Sequence, residues 1–310
     1  MESVPTSIDV SVVIPVYNNS ATLEALTDRL VAVLEKLQVP FEVIYVDDGS
    51  RDESLAMLQA RAARDARLRP FALVRNFGSQ AAVCAGFDLV RGRRVVCMDA
   101  DLENCPEDIP ALLALLDQGH DLVCGYRQSR DSPLFSRRLP SAMMNAYVRN
   151  RTGTTIRDIG CGMRAFQSWV VRDLASEGEA RRLLTPLFLR RASRIAEHRL
   201  TPGIGRRSGG HSFLSLLGIA VDYYMLTAKR PFLVAGLLAG TVAVAGAGAW
   251  IAGSAMAGAV LFCCGGLGVL VSLVGEYCQR LYQLAQGIPF YQLREAQQIH
   301  DPSATVQTRE

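Results

Sequence analysis

Zinc-binding and disulfide-forming cysteine patterns are missing from this sequence. Its eight cysteines include no C-x-x-C pair, and Cys263 and Cys264 lie inside a long uncharged run. Cysteines of this kind are typical of small buried apolar side chains in a reducing compartment. The sequence therefore argues against a zinc-bound or disulfide-stapled scaffold.

Glycine-rich phosphate-binding motifs are also missing. No G-x-G-x-x-G opens the first predicted helix, and no G-x-x-x-x-G-K-[ST] occurs in the chain. Dehydrogenase-type dinucleotide sites and P-loop NTPases hold phosphates with these motifs, so neither class is favoured. Residues 1–9 are short, polar and acidic, which predicts that no signal peptide opens the chain.

Charge is missing from two stretches near the C-terminal end. Residues 232–251 and 255–275 contain no charged residue, and each reaches the length of about 20 residues that crosses a bilayer core. We predict a two-span transmembrane hairpin over residues 231–283. The alternative is a hydrophobic helical hairpin buried inside a soluble protein.

The charges that flank these stretches predict an orientation. Lys229 and Arg230 precede the first stretch and Arg280 follows the second, whereas the turn around Gly253 carries no charge. By the positive-inside rule both termini are cytoplasmic, including a tail over residues 284–310. Small residues in the second stretch permit close helix packing, and hence a homo-oligomer.

Lysine is missing from the middle of the chain, which is nevertheless strongly basic. From Arg127 to Arg207 there are seventeen arginines and six acids, a local balance of +11 in a chain of net charge +3. Such a segment needs an anionic partner. Nucleic acid is one candidate, but phosphate-bearing lipids are the simpler one beside a predicted membrane anchor, where each basic residue gains about 1 kcal/mol. We therefore expect a membrane partner and no nucleic acid.

Short apolar runs and amphipathic helices alternate over the first 124 residues. The runs are rich in β-branched residues, and Ser50 is predicted to cap a helix that begins at Arg51. This alternation is typical of an α/β fold with a mostly parallel sheet.

Acidic residues follow the apolar run that ends at Met98. Asp99, Asp101 and Glu103 come directly after it, and Asp47 and Asp48 end another run. Carboxyl ends of parallel strands meet at one edge of a sheet, where ligands bind. Carboxylate oxygens suit a hard divalent cation beside a diphosphate. The alternative is that these acids are solvated turn or capping residues.

Five short motifs follow one another and precede the two uncharged stretches. They are Val13-Ile14-Pro15-Val16-Tyr17-Asn18, Val46-Asp47-Asp48-Gly49-Ser50, Arg75-Asn76-Phe77-Gly78-x-Gln80-x-Ala82, Met98-Asp99-Ala100-Asp101-Leu102 and Gly125-x-Arg127. With these motifs the chain resembles the family 2 (GT-A fold) glycosyltransferases, and within them the polyprenyl-phosphate sugar transferases, over residues 9–295.

The resemblance implies a Rossmann-like GT-A catalytic domain over residues 1–210, whose basic, membrane-facing region spans about 127–207. An amphipathic juxtamembrane helix over residues 211–230 and the two transmembrane helices would follow. It also implies Mg²⁺ or Mn²⁺ as cofactor and a bacterial inner-membrane location, with the catalytic domain cytoplasmic.

Residue roles are carried over from the resemblance position by position. Asp99, Asp101 and Glu103 would hold the metal, although Glu103 stands where the family commonly has Gln. Asp101, Asp158 and Arg127 would be catalytic, with Arg127 contacting phosphate. The predicted nucleotide-binding residues are Pro15, Tyr17, Asn19, Asp47, Asp48, Asp99 and Ala100. Asn19 replaces the family's usual Glu.

Asp158 lies in a segment that resembles the family's Asp-x-Gly motif. It is a candidate base or acceptor-orienting residue; the alternative is a loop acid that caps the turn before Gly160. Because a lipid phosphate is already anionic near neutral pH, a positional role is favoured over proton abstraction. The candidates for binding the lipid phosphate are Arg137, Arg138, Arg206 and Arg207, and His211 is the nearest replacement for a family lysine absent here.

The expected reaction is inverting transfer of a sugar from a nucleotide diphosphate sugar, with UDP expected, to a polyprenyl (undecaprenyl) phosphate, serving lipid A or surface glycan modification. A processive polysaccharide synthase is a second hypothesis, disfavoured because Gln-x-x-Arg-Trp is absent and two spans cannot easily enclose a polymer channel. A third is a non-catalytic, nucleotide-binding membrane scaffold. Loss of turnover on removal of the Asp99 and Asp101 charges would separate an enzyme from a scaffold.

Overall fold

The computed structural model describes residues 7–127, 156–174, 181, 184–203 and 291–294, with single positions between 241 and 281. Two compact units divide the chain: residues 1–217 with 290–310, and residues 218–289. The described positions of the second unit are helical. Among the described residues, no helix has the length and apolar character of a membrane span.

Several predictions concern residues that the structure does not describe. The predicted juxtamembrane helix lies entirely outside the described residues, and so does most of the predicted hairpin over residues 231–283. The same holds for Arg137, Arg138, Arg206, Arg207 and His211. The domain boundaries, the spans and the lipid-phosphate site therefore stay predictions.

Strands and helices alternate along the first unit. The strands are β1 (Val10–Val16), β2 (Phe41–Asp47), β3 (Leu68–Ala72), β4 (Arg94–Cys97), β5 (Leu122–Tyr126), β6 (Arg164–Gln167) and β7 (Ile195–Arg199). The helices are α1 (Ser20–Lys36), α2 (Ser54–Ala62), α3 (Ser79–Asp88), α4 (Ile109–Asp117), α5 (Ser168–Val171) and α6 (Leu184–Arg191), with a 3₁₀ turn at Pro106–Asp108 before α4.

The strands form one mixed sheet in the order β3-β2-β1-β4-β6-β5-β7. Four neighbouring pairs are parallel, namely β1–β2, β1–β4, β2–β3 and β5–β7, and β6 runs antiparallel to both β4 and β5. The prediction of a mostly parallel α/β sheet is confirmed. The antiparallel β6 was not predicted, because four residues give too short a pattern to reveal a strand's direction.

Apolar side chains at helical spacing bury one face of α1 against the sheet. Leu23, Leu26, Leu30 and Leu34 are all buried, as the i, i+3, i+4 spacing predicts. A second cluster joins three elements through edge-to-face aromatic contacts, with ring centroids 4.7–5.8 Å apart. Its members are Phe87 of α3, Phe166 of β6 and Phe188 of α6. These contacts pack the unpredicted strand β6 against α3 and α6.

The predicted helix cap at Ser50 is wrong, since α2 begins at Ser54. The hydroxyl of Ser50 instead accepts a hydrogen bond from the Asn18 backbone N–H at 2.9 Å, and the Ser54 hydroxyl accepts one from Asn19 at 2.9 Å. Asp52 also accepts a bond from the Ser20 N–H at 3.0 Å. The loops after β1 and β2 are thereby joined to each other, which a capping pattern read along one helix could not reveal.

Residues 291–294 pair with the chain just after β3. The N–H of Val74 donates to the Gln292 carbonyl at 2.9 Å, and the N–H of Arg294 donates to that of Ala72 at 2.9 Å. Leu293 is buried, and the Tyr291 hydroxyl donates to Asp88 at 2.6 Å. Part of the segment predicted as a tail therefore pairs with the chain beyond the edge strand β3, through a single antiparallel bridge between Leu73 and Leu293.

Candidate active site

The carboxyl ends of β1, β2 and β4 meet at one edge of the sheet, because these three strands are parallel neighbours. A cavity of about 320 Å³ opens there. The predicted residues that line it are Pro15, Tyr17, Asn19, Asp48, Asp99, Ala100, Asp101, Glu103 and Arg127. The tertiary structure thus brings together predicted residues from four of the five sequence motifs.

Pro15 lies inside β1, where a proline would ordinarily break the hydrogen-bond ladder. Pairing with β4 ends at Val13, so the missing N–H of Pro15 leaves no gap on that side. Tyr17 follows, 43% exposed at the cavity wall, and its N–H donates to the Asn19 side chain at 3.0 Å. The tyrosine ring is therefore accessible to a planar ligand such as a nucleobase.

Asp48 accepts hydrogen bonds from backbone amides of the loop that follows β3. This loop belongs to the motif over residues 75–82, for which the sequence predicted no role. The two carboxylate oxygens of Asp48 accept hydrogen bonds from the N–H groups of Phe77 at 2.7 Å and Gly78 at 2.9 Å. Burial raises the pKa of Asp48; the two amides oppose this shift, and the nearby charge of Asp47 adds to it. Asp48 thus fixes the loop that forms one wall of the cavity.

Asp47 is buried at the end of β2 and is not part of the cavity lining. Its Oδ2 accepts a hydrogen bond from the Ser50 N–H at 3.1 Å, whereas its Oδ1 has no partner among the described residues. A buried oxygen without a donor is costly, and a water, an ion or strain can account for it. Gly49 lies in the turn that follows Asp47 and has φ +71. A side chain at this position would meet the Asn76 backbone at 2.8 Å.

The loop that follows β4 carries the predicted metal ligands. Thr22 of α1 donates its hydroxyl to the Ala100 carbonyl at 2.7 Å, and Asp101 Oδ1 accepts a bond from the Glu103 N–H at 3.0 Å. Leu102 has φ +58, a left-handed conformation that is unfavourable for a leucine. We call residues 99–103 the diphosphate loop.

The donor set of this loop fits a hard divalent cation. Asp99 and Asp101 present carboxylates to one cavity, and oxygen ligands of this type suit Mg²⁺ or Mn²⁺. Gly162 makes room for Asp99, since a Cβ there would lie 2.6 Å from the Asp99 Cγ. In the described part of the chain, no cluster of three or more His, Cys, Asp or Glu groups could enclose a metal. Two carboxylates fill only part of the coordination shell of such an ion, which usually keeps positions for water and substrate phosphates.

Arg127 forms ion pairs with two acids, Glu103 and Asp158. Its Nη1 donates to Glu103 at 2.8 Å and its Nε to Asp158 at 2.9 Å, while Nη2 donates to the Gly160 carbonyl at 3.3 Å. Burial alone would lower the pKa of this guanidinium, but the bond to Asp158 and both acids' charges raise it above its ordinary value. Glu103 is thus an ion-pair partner of Arg127, and its role as a third metal oxygen stays a prediction.

Some cavity residues were missed by the sequence reasoning. Asn76, Gly78, Ser79 and Gly160 line the cavity but were given no role. The first three follow β3, at the same sheet edge as the acids, so their position after an apolar run was an available signal. No comparable signal pointed to Gly160 as cavity lining.

Buried cysteines near the site remain thiols. Burial raises the pKa of Cys161 to about 11 and that of Cys124 to about 11. Neither is therefore a thiolate nucleophile or metal ligand at neutral pH, in line with their predicted role as small apolar side chains.

Comparison with known proteins gives a consistent family. The glycosyl transferase family 2 model matches residues 11–176. An undecaprenyl-phosphate 4-deoxy-4-formamido-L-arabinose transferase of Salmonella paratyphi A is 33% identical over 321 residues, covering 97% of this chain and 96% of the relative. The transferase of the same name from Pseudomonas paraeruginosa is 35% identical over 308 residues, covering 92% of this chain and 89% of the relative.

Solved structures share the fold. Glucosyl-3-phosphoglycerate synthase from Mycobacterium tuberculosis, crystallised with Mn²⁺, uridine diphosphate and glucosyl-3-phosphoglycerate, has a TM-score of 0.51 and 23% identity over 72% of this chain and 80% of that one. A crystal structure described only as a mycobacterial protein has a TM-score of 0.51 and 24% identity over 69% of this chain and 72% of that one. From this fold, the family match and the near full-length relatives, we conclude that the chain is a glycosyltransferase that belongs to glycosyl transferase family 2 and its polyprenyl-phosphate branch.

Proposed function

We propose that this protein transfers a sugar from a UDP-linked donor to undecaprenyl phosphate at the cytoplasmic face of the bacterial inner membrane. The observation that carries the proposal is the cavity in which Asp48, Asp99 and Asp101 converge, in a chain whose similarity to undecaprenyl-phosphate sugar transferases extends over 97% of its length. The relatives suggest 4-deoxy-4-formamido-L-arabinose as the sugar and lipid A modification as the use.

The donor nucleotide is assigned to the β1 and β2 side of the cavity. The exposed ring of Tyr17 suits stacking with a base. Asp47 is buried next to this wall and lies outside the cavity lining, and its contact with the nucleotide stays a prediction. Asp48 supports this wall by fixing the Phe77–Gly78 backbone. Uridine diphosphate in a solved structure of the same fold is compatible with this assignment.

Asp99 and Asp101 would hold a divalent cation, Mg²⁺ or Mn²⁺. When bound, such an ion neutralises charge on a departing diphosphate and acts as a Lewis acid. The protein's own contribution is to aim both carboxylates into one cavity, with Gly162 leaving space for Asp99 and Thr22 fixing the Ala100 carbonyl.

Inversion follows from attack opposite the leaving group. An oxygen of the acceptor phosphate forms the new bond to the anomeric carbon while the bond to the nucleotide diphosphate breaks, and the diphosphate leaves with the bonding electrons. No proton has to be removed from an anionic phosphate, so Asp158 is assigned to positioning through Arg127, which it contacts at 2.9 Å. Arg127 contributes positive charge where phosphate oxygens gather.

The acceptor is assigned to the basic middle of the chain and the predicted membrane segments. Seventeen arginines between Arg127 and Arg207 provide charge for an anionic lipid surface and its phosphate. Arg137, Arg138, Arg206 and Arg207 remain the proposed lipid-phosphate partners.

The test uses the full chain in lipid nanodiscs with undecaprenyl phosphate, Mn²⁺ and UDP-4-deoxy-4-formamido-L-arabinose, with UDP-glucose in a parallel arm. A lipid product whose mass increases by one sugar supports the proposal. A product carrying several sugars favours the processive synthase. No turnover with any nucleotide sugar, in the presence of metal, would contradict the proposed function and favour a scaffold.

A further inference from the structure

The chain that leaves β7 packs directly over the diphosphate loop. The Gly203 N–H donates to the Glu103 carbonyl at 3.1 Å, and Pro202 forms an antiparallel bridge with Asn104. The Cys105 thiol also donates to the Pro202 carbonyl at 3.7 Å. These contacts join positions that are about a hundred residues apart in the sequence.

Thr201 anchors the same segment to the turn that follows the loop. Its N–H donates to Asp108 Oδ2 at 2.8 Å and its hydroxyl donates to Oδ1 at 2.9 Å. Asp108 is buried, with 7% of its surface exposed, and both of its oxygens accept hydrogen bonds from Thr201. The Nε2 atom of His198 also lies 3.9 Å from Asp108 Oδ1. We call residues 201–203 the clasp.

The fit between the clasp and the loop leaves no room for a side chain at position 203. A Cβ on Gly203 would lie 2.6 Å from the Glu103 carbonyl oxygen and would overlap the carbonyl oxygen of Leu102. Both obstacles are backbone atoms, which cannot rotate away. Leu102 is also the residue with φ +58, so the clasp closes over the most strained point of the loop.

We propose that the clasp, through Gly203, is a positioning element that holds the diphosphate loop in its strained conformation. The effect reaches the carboxylates through two contacts, because the Glu103 N–H binds Asp101 and the Glu103 side chain binds Arg127. The role of the clasp in catalysis rests on the proposed function.

The experiment measures Mn²⁺-dependent binding of UDP to the full chain, without any acceptor or turnover. We expect Gly203→Ala to raise the Mn²⁺ concentration for half-maximal UDP binding by about tenfold or more, since displacement of a catalytic group by about 1 Å costs up to 10²-fold. Sugar transfer is measured alongside, and kcat is expected to fall more than KM rises.

The matched control is Gly92→Ala. Its new Cβ would meet the Ser11 backbone N at 2.7 Å, a comparable backbone clash beside the start of β1. We expect it to lower the melting temperature while leaving the Mn²⁺ dependence unchanged. The inference would be overturned if Gly203→Ala and Gly92→Ala showed the same Mn²⁺ dependence of UDP binding. This holds whether both variants keep the wild-type dependence or both lose it.

Thr201→Val is the milder variant if Gly203→Ala does not fold. It removes only the hydroxyl bond to Asp108, and we expect about a fivefold rise in the Mn²⁺ requirement, equivalent to one hydrogen bond. An unchanged Mn²⁺ requirement would count against the clasp. Failure of the proposed function would be seen separately, as absence of sugar transfer by the wild-type protein, because the UDP-binding measurement needs no acceptor.

Discussion

The two sides of the cavity are built in different ways. On the side of β1 and β2, backbone amides hold the polar groups, as the Phe77 and Gly78 N–H groups hold Asp48. On the opposite side, side chains hold one another, as Arg127 holds Glu103 and Asp158. A site held by backbone changes little when a ligand enters, whereas ion pairs between side chains can exchange partners with phosphate oxygens.

This difference suits the two proposed substrates. A nucleotide has a fixed shape, so a wall fixed by backbone hydrogen bonds is already organised to receive it. A phosphate arriving on a lipid brings charge, and a guanidinium that already binds two carboxylates can rearrange to meet it. The comparison predicts that variants on the two sides of the cavity will differ in which property they lose, whether turnover, ligand binding or folding stability.

The largest effect is expected where the two sides meet. Asp99→Asn and Asp101→Asn each remove one negative charge from the proposed cation site, so we expect turnover to fall on the order of 10³-fold. Turnover and Mn²⁺-dependent UDP binding are measured together. Asp117→Asn is the control, since that half-exposed carboxylate lies at the end of α4 and should leave both unchanged. Normal turnover in either loop variant would refute a role in the reaction.

Gly162→Ala is expected to give the next largest loss, about 10²-fold in kcat, because the new Cβ would displace the Asp99 carboxylate. Gly86→Ala is the matched control, since its Cβ would overlap Val13 in the apolar core instead. Melting temperatures should fall in both variants. If only stability changes in Gly162→Ala, the close approach to Asp99 has no catalytic meaning.

Arg127→Ala tests the side-chain network and should cost about 2 kcal/mol of folding free energy, since it removes the guanidinium that binds two partly buried carboxylates, Glu103 and Asp158. Chemical denaturation measures this loss. Asp158→Asn keeps a hydrogen-bond acceptor, and for a positioning role we expect about a tenfold lower kcat with an unchanged pH profile. Loss of the acidic limb of the pH profile would show instead that Asp158 is a general base.

The smallest effect concerns the turn that supports the β1 side. Burial alone would raise the pKa of Asp52, but hydrogen bonds from Ser54 and Ser20 lower it to about 2. Because the folded pKa lies below the ordinary value of 3.8, Asp52 stabilises the fold above pH 4, and this contribution is lost as pH falls toward 2. The difference in melting temperature between wild type and Asp52→Ala should therefore shrink over that range. A constant difference would show that Asp52 acts without its charge.

Much of the first half of the fold was predictable from local pattern. The spacing of Leu23, Leu26 and Leu30 predicts the buried face of α1, and β-branched runs predict β1 and β2, because these signals depend on neighbours within a few residues. The acids after Met98 also predict a place at the sheet edge. These acids lie beside Asp48 because β1 pairs in parallel with both β2 and β4.

The sequence by itself determined the alternation of strands and helices, the acidic strand ends and the basic middle of the chain. Only the tertiary structure decided that β6 is antiparallel, that Arg127 pairs with Glu103 and Asp158, and that Gly203 closes over the diphosphate loop. The physical reason is distance along the chain: periodicity reports which face of an element is buried, whereas contacts between remote short segments depend on how all the elements pack.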